Sequence, residues 1–177
     1  MVRREEIKNS LTPAVPPKKY QFMADAMLGR LARWLRALGY DTLYYPDIPN
    51  NDLVRIAREQ NRVIITRDTR LAKIKALKDS YVLISSNDSF QQLVELIEKL
   101  QLKQFHLFSR CVACNGELSK ISDKSEVKEA VPEFVLLNNT MFAKCRSCGR
   151  IFWEGSHPKH FTEMIHGIIR SHGGHLT

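Results

Sequence analysis

The sequence lacks any long hydrophobic run. Its apolar stretches, such as residues 63–65 and 168–169, fall far short of the roughly 20 residues that a bilayer core demands of a helix. That argues against a membrane span and a membrane partner. The opening stretch, MVRREEIKNSLTPAVPPKKYQF, has no apolar segment of signal-peptide length, so the expected location is the cytoplasm. Cysteine is scarce, with four in the chain. In a reducing compartment they read as metal ligands rather than disulfides. No internal repeat is visible apart from the two cysteine pairs. Acid is in deficit: 19 Asp and Glu stand against 27 Lys and Arg, a net charge of +8, with a pI of about 9.5. Such a balance points to an anionic partner, most commonly nucleic acid, with a merely solvated basic surface as the alternative.

With 177 residues, 44% of them hydrophobic, the chain can form one ordinary domain and a small module. Residues 1–19 are charged, carry Pro13, Pro16 and Pro17, and read as an arm or linker. From Tyr20 onward, short apolar segments alternate with amphipathic ones. YQFMAD, YDTLYY, RVIIT and YVLIS read as strands. AMLGRLARWLRALG reads as a helix with Met27, Leu28, Leu31, Trp34, Leu35 and Leu38 on one arc. Arg30, Arg33 and Arg36 fall on the opposite arc, and Gly39 stops the helix. A short helix follows PDIPN with Leu53, Val54, Ile56 and Ala57 inward, TRLAKIKALK gives a basic helix, and SNDSFQQLVELIEKLQL a capped one. Alternation of this kind predicts an α/β unit over residues 20–104, with a mainly parallel sheet covered on both faces. Beyond it, residues 105–160 hold all the cysteines and read as a separate module, and 161–177 as a tail.

In an open parallel sheet, ligands bind beyond the carboxyl ends of the strands. Asp25 follows the first strand, Asp68 lies just past the third, Asp88 sits in the loop after the fourth, and Asp52 opens the helix before the third. Carboxylates gathered on one rim repel and need a counter-charge. Oxygen donors without thiolate or imidazole suit Mg²⁺ or Mn²⁺, ions that suit phosphodiester hydrolysis. Taken singly, each acid also reads as structural. Asp25 and Asp52 can serve a helix dipole, Asp68 can cap the helix that begins near Thr69, and Asp88 can cap the one that begins at Ser89. Taken together at matched strand ends, they favour a metal site.

CVAC (Cys111, Cys114) and CRSCG (Cys145, Cys148) are two C-x-x-C knuckles. Two such pairs close a tetrahedral four-thiolate zinc shell, structural rather than catalytic. Gly116 and Gly149 follow their knuckles, where a turn with positive φ is useful. EFVLLNN and TMFAK, between the pairs, can supply ribbon strands. His157 and His160 are surplus to the four sulfurs and are read as surface or phosphate-contacting residues. Phe152 and Trp153 can pack the ribbon core or stack a base, with packing favoured.

FMADAMLGRLARWLRALGYDTLYY followed by NDLVRIAREQNRVIITRD, with ADAMLGRLARWLR the specific block, resembles the PIN-like ribonuclease domain of Mut-seven-type exonuclease C-termini. The resemblance runs over residues 22–160, since that family also carries a C-terminal zinc ribbon. It implies a three-layer α/β/α fold and a metal-dependent nuclease acting on RNA, single-stranded or structured. It puts Asp25, Asp52 and Asp68 on the metal-binding acids, with Asp88 as a fourth. It makes Thr66 the hydroxyl that orients the third carboxylate or a water on the metal. Arg30, Arg33, Arg36, Arg67 and Arg70 are then candidate contacts to the RNA backbone, although Arg30 and Arg33 also fit an ordinary polar helix face. Two further readings stand beside the nuclease. One is a non-catalytic RNA-binding or assembly module on the same fold. The other, a phosphoacceptor signalling domain, explains neither the knuckles nor the charge.

Overall fold

The computed structural model describes residues 20–74, 80–153, 163–168, 170 and 175–176. The expected arm at 1–19, the part of the expected basic helix beyond residue 74, and His157 and His160 lie outside the described residues.

The first half alternates as expected: β1 (Gln21–Ala24), a 3-10 turn (Ala26–Leu28), α1 (Gly29–Ala37), β2 (Asp41–Tyr44), α2 (Asn50–Glu59), β3 (Val63–Thr66), α3 (Thr69–Ala72), β4 (Tyr81–Leu83) and α4 (Ser89–Leu100). The four strands form one sheet in the order β2-β1-β3-β4, and every pairing is parallel. Side chains alternate across a strand, and both faces are covered. Phe22, Ala24 and Ile65 join Leu28 of the 3-10 turn and Leu31, Leu35, Leu93 and Leu96 from α1 and α4 on one side. Met23 and Ile64 meet Leu53 and Ala57 of α2 on the other. The result is a three-layer α/β/α unit. Burying side chains such as Leu31 and Leu35, both fully enclosed, contributes about 1.5–3 kcal/mol each.

Two assignments on the first helix change. Met27 is not on the inward arc: the 3-10 turn winds more tightly than an α-helix, and Met27 is 64% exposed. Arg36 is not on the outward arc: it is buried. Gly39 does stop the helix, with φ of +91°. A Cβ there would lie 2.4 Å from the His106 carbonyl oxygen.

The second half contains an antiparallel three-stranded ribbon of β6 (Leu118–Ile121), β7 (Phe142–Cys145) and β8 (Ile151–Trp153). TMFAK supplies β7, but EFVLLN forms a helix, α5 (Glu133–Asn138), entered from Pro132. Proline is compatible with a helix start, and a continuous apolar run lacks the alternation that a half-buried strand needs. Val135 and Leu136 pack against the Val127, Val131 and Phe142 cluster, while Phe134 and Leu137 face outward. Phe152 and Trp153 pack against the two ribbon clusters.

The two halves are packed together. Phe105 and Leu107 belong to the first core, as do Ile165 and Ile168 from the segment expected to be a tail. Residues following α4 run along the end of α1, where the amide groups of His106 and Phe108 donate to the Leu38 and Ala37 carbonyls at 3.0 and 2.8 Å. A short parallel pair joins β5 (Gln104–Phe105) to β9 (His175–Leu176). Among the described residues, no helix is long and apolar enough to cross a membrane.

Candidate active site and cysteine centre

In the order β2-β1-β3-β4, the chain leaves β1 toward one edge and β3 toward the other. The crevice beyond their carboxyl ends is therefore the topological switch point, where open α/β sheets bind ligands. Asp25 follows β1 there, and Thr66, Arg67 and Asp68 close β3.

Asp25 is buried, at 5% exposure. Its Oδ1 accepts from the Met27 amide at 2.7 Å, capping the 3-10 turn. Its Oδ2 accepts from the Thr66 hydroxyl and from the Arg67 amide, the latter at 3.2 Å. Thr66 is fully buried and works in both directions: while donating to Asp25, its Oγ1 accepts from the Asp68 amide at 2.9 Å. One hydroxyl thus ties two acidic residues into a fixed relation. The Arg67 guanidinium donates through Nη2 to Asn87, and its buried Nε has no protein partner.

Asp68 caps α3 and accepts from the Arg70 amide at 2.8 Å. The Arg70 guanidinium pairs with the same carboxylate at 3.0 Å. The Arg70 side chain, the Arg70 amide and a lesser bond from Asn50 pull Asp68 below the usual carboxylate range. Asp52 lies in the first turn of α2 and is paired along its own helix with Arg55 at 3.2 Å. Asp88 caps α4, accepting from the Phe90 and Gln91 amides at 3.0 Å each. The fold therefore links Asp25 and Asp68 directly through Thr66. Asp52 and Asp88 are engaged within their own helices. Arg30 and Arg33 are exposed on α1.

Arg36 leaves the set of surface arginines. Its Nε donates to the Thr42 carbonyl at 2.9 Å, and its Nη1 to the Ala113 and Val112 carbonyls at 2.9 and 3.2 Å. A guanidinium is chosen for such a position because its fork satisfies several acceptors at once.

That bond reaches the first cysteine knuckle. The ligand atoms of Cys111, Cys114, Cys145 and Cys148 all lie within 4.8 Å of one another. The sulfurs of Cys111 and Cys148 are 3.8 Å apart, and those of Cys114 and Cys145 are 3.4 Å apart. Four sulfurs at about 2.3 Å from a tetrahedral centre would be about 3.8 Å apart, so the tetrad fits a metal shell. Burial pushes the Cys111 thiol up to about 12 and raises Cys145 as well; a bound cation reverses that preference by stabilising thiolates. The left-handed residue of the first knuckle is Asn115, with φ of +69°, and in the second Gly149, with φ of +72°. Gly116 has a different task. A Cβ on it would lie 2.4 Å from Ser147 Oγ and 3.0 Å from Cys145 Sγ, so glycine lets the knuckles approach. Among the described residues, this tetrad is the one group of three or more such side chains brought that close.

Several residues at these sites escaped the sequence reading. Asn50 and Asn87 contact Asp68 and Arg67, yet neither the first residue of α2 nor a loop asparagine carries a periodic signal. The sequence pattern places Glu95 only within a helix. Its carboxylate accepts from the Ser85 and Ser86 amides at 3.0 and 3.1 Å and from Lys99 at 2.7 Å, pinning the loop that leads to Asp88. Asn115, next to a knuckle cysteine, was visible in the motif but not its reach to β2.

The chain belongs to the family described as Mut7-C RNAse domain, whose model matches residues 20–165. Its domain is thus of a nuclease family. A human protein named Exonuclease mut-7 homolog is 28% identical over 115 residues, covering 62% of this chain and 13% of that protein. The chain accordingly spans a small part of that relative's length. No solved structure gives a significant match.

Proposed function

We propose that the protein is a metal-dependent ribonuclease hydrolysing phosphodiester bonds at the Asp25–Thr66–Asp68 crevice. The observation that carries this reading is Asp25: a buried carboxylate held on both oxygens at the sheet's switch point, in a chain of a nuclease family. Both carboxylates are hard oxygen donors, and Mg²⁺ or Mn²⁺ is often bound by one or two such groups with waters completing the shell. Asp25 and Asp68 would hold the ion, with Asp52 as a third ligand if it leaves Arg55 and Asp88 at the margin. When bound, the cation activates water and neutralises charge on the phosphoryl oxygens. The chain's own residues do the rest. Thr66 fixes the direction of the Asp25 carboxylate. Arg67 presents an unsatisfied Nε–H, and Arg70, Arg30 and Arg33 supply positive charge for the polyanion. The cysteine tetrad would hold zinc as a structural ion in a reducing, cytoplasmic setting, where its thiols remain available.

A second reading, a non-catalytic RNA-binding module, is favoured by one observation. Arg70 already neutralises Asp68, and Arg55 already pairs with Asp52, so these acids have partners without an ion. The same experiment separates the two. Purified protein is incubated with labelled RNA and Mn²⁺, beside Asp25→Asn and Asp68→Asn. The nuclease reading expects metal-dependent cleavage that falls at least a hundredfold in Asp25→Asn, with products distinguishing internal cuts from end-trimming. Equal cleavage by all three proteins would trace it to a contaminant, and RNA binding without cleavage would select the second reading.

A further inference from the structure

Among the described residues, four large hydrophobic side chains are left exposed: Met27 at 64%, Tyr45 at 45%, Phe134 at 74% and Leu137 at 73%. The first two belong to the segments that follow β1 and β2. The Met27 amide is the donor to Asp25 Oδ1, and the 3-10 turn directs the Met27 side chain to solvent. Tyr45 follows the neighbouring strand: Ala24 is in register with Tyr44, so Asp25 and Tyr45 are the first residues past the ends of two paired strands. The Tyr44 side chain ties the two segments together. The Tyr44 hydroxyl donates to the Ala26 carbonyl at 3.1 Å. Gly29 makes room for that ring, since a Cβ there would lie 2.7 Å from it. Arg30 is exposed three residues beyond Met27.

We propose that Met27 and Tyr45 form a stacking platform for a nucleobase of the RNA strand whose phosphate lies at the Asp25–Asp68 crevice. This rests on the ribonuclease reading and deepens it. The occupant follows from the chemistry beside the platform. A purely apolar partner would have to bury the Arg30 charge and the acidic rim, whereas a nucleotide offers a flat π-face for Tyr45 and the Met27 thioether, and an anion for the arginines. Stacking accepts any base, so the platform gives base contact without sequence preference.

The test measures binding of a fluorescein-labelled eight-nucleotide oligoadenylate RNA to the full chain by anisotropy, without divalent ion, so that no cleavage occurs. A matched oligomer with abasic positions serves as the phosphate-only control. Tyr45→Ala and Met27→Ala are each expected to weaken binding, Tyr45→Ala by roughly tenfold. Tyr45→Phe should stay within twofold, and the abasic oligomer should bind wild type more weakly than the RNA. Tyr45→Ala should leave the slope of log Kd against log salt unchanged, because no phosphate contact is lost. Both side chains are solvent-facing, so melting temperatures report whether any variant has misfolded. Wild-type binding with all variants inside twofold, or equal binding of abasic and ordinary oligomers, overturns the platform and leaves the nuclease reading standing. Binding that responds to Tyr45 in a protein that never cleaves RNA supports the platform and removes the nuclease reading. Failure of wild type to bind the RNA overturns both.

Discussion

Replacing Arg36 by methionine keeps much of its volume and removes its donors, and should loosen the sheet and the cysteine centre together. The Thr42 carbonyl lies in a buried setting and loses a 2.9 Å bond; the Ala113 and Val112 carbonyls lose bonds of 2.9 and 3.2 Å in a partly buried one. A buried acceptor left without a partner costs about 1–3 kcal/mol, less where water can reach it. Removing a guanidinium that burial already disfavours returns part of the cost. The expected net loss is about 3 kcal/mol, or roughly 6–12 °C in Tm for a chain of this size. The clamp is wider than one residue. The Thr42 amide donates to Asn115 Oδ1 at 2.9 Å, Asn115 Nδ2 donates to Asp41 Oδ1 at 2.7 Å, and Arg62 pairs with Asp41 at 2.7 Å. If the knuckles hold zinc as proposed, stripping it should therefore unsettle β2. The assay uses the chain's two tryptophans: Trp34 packs in the first core and Trp153 in the ribbon. In a Trp153→Phe background, urea unfolding followed through Trp34 reports the sheet side. A chelator should lower its midpoint, and should lower it less in Arg36→Met, where part of the connection is already cut. A Trp34 midpoint unmoved by chelation, or an Arg36→Met loss below 1 kcal/mol, would refute the coupling.

Two further perturbations follow. Glu95 is driven down to about 2 from an ordinary 4.5: burial works against ionisation but is outweighed by Lys99 and the Ser85 and Ser86 amides. Its folded-state value is depressed, so its contribution is complete above about pH 4.5 and is lost as pH falls toward 2. It amounts to about 2–3 kcal/mol after allowing for the half-exposed lysine. Glu95→Gln should flatten that limb of a urea-midpoint-versus-pH curve, and an unchanged slope would contradict the assignment. Gly39→Ala combines a left-handed backbone with a Cβ 2.4 Å from the His106 carbonyl oxygen and should cost about 3 kcal/mol or more. Gly149→Ala, with φ of +72° but no neighbour within 4 Å, should cost only about 1 kcal/mol by thermal denaturation. Equal losses would mean that the close approach at Gly39 carries no weight.

The layers were legible because they depend on local periodicity. VIIT, bounded by polar residues, is a buried strand wherever it packs, and the spacing of Leu31, Leu35 and Leu38 makes one helix face on any scaffold. Arg36 shows where that reasoning stops. Its wheel position says outward, but the wheel assumes that one face meets the protein. Here a second surface, the Cys111–Cys114 knuckle, arrives from 76 residues downstream, and no local pattern encodes it. EFVLLN fails for the opposite reason: a short apolar run has no period to read, so the proline before it and the packing of Val135 and Leu136 decide its state. The sulfur tetrad was legible because C-x-x-C pairs carry their geometry within four residues.

The acids fall between these cases, and the difference among them is physical. A cap consumes a carboxylate by giving it amides within its own helix, and Asp88 is satisfied in that way by Phe90 and Gln91. Asp25 also caps, through Met27, but its second oxygen is claimed across the sheet by Thr66 and Arg67. A structural cap needs no such second tether, since the turn is complete without it. Holding a buried carboxylate from its own turn and from the end of β3 fixes its position as well as its charge, and catalytic sites require that preorganisation. Asp68 is oriented by the same threonine through its backbone amide, yet its carboxylate remains at the rim with a largely exposed arginine. One acid is thus locked and the other is exchangeable, an arrangement that suits a pair admitting a cation between strand ends better than it suits two helix caps.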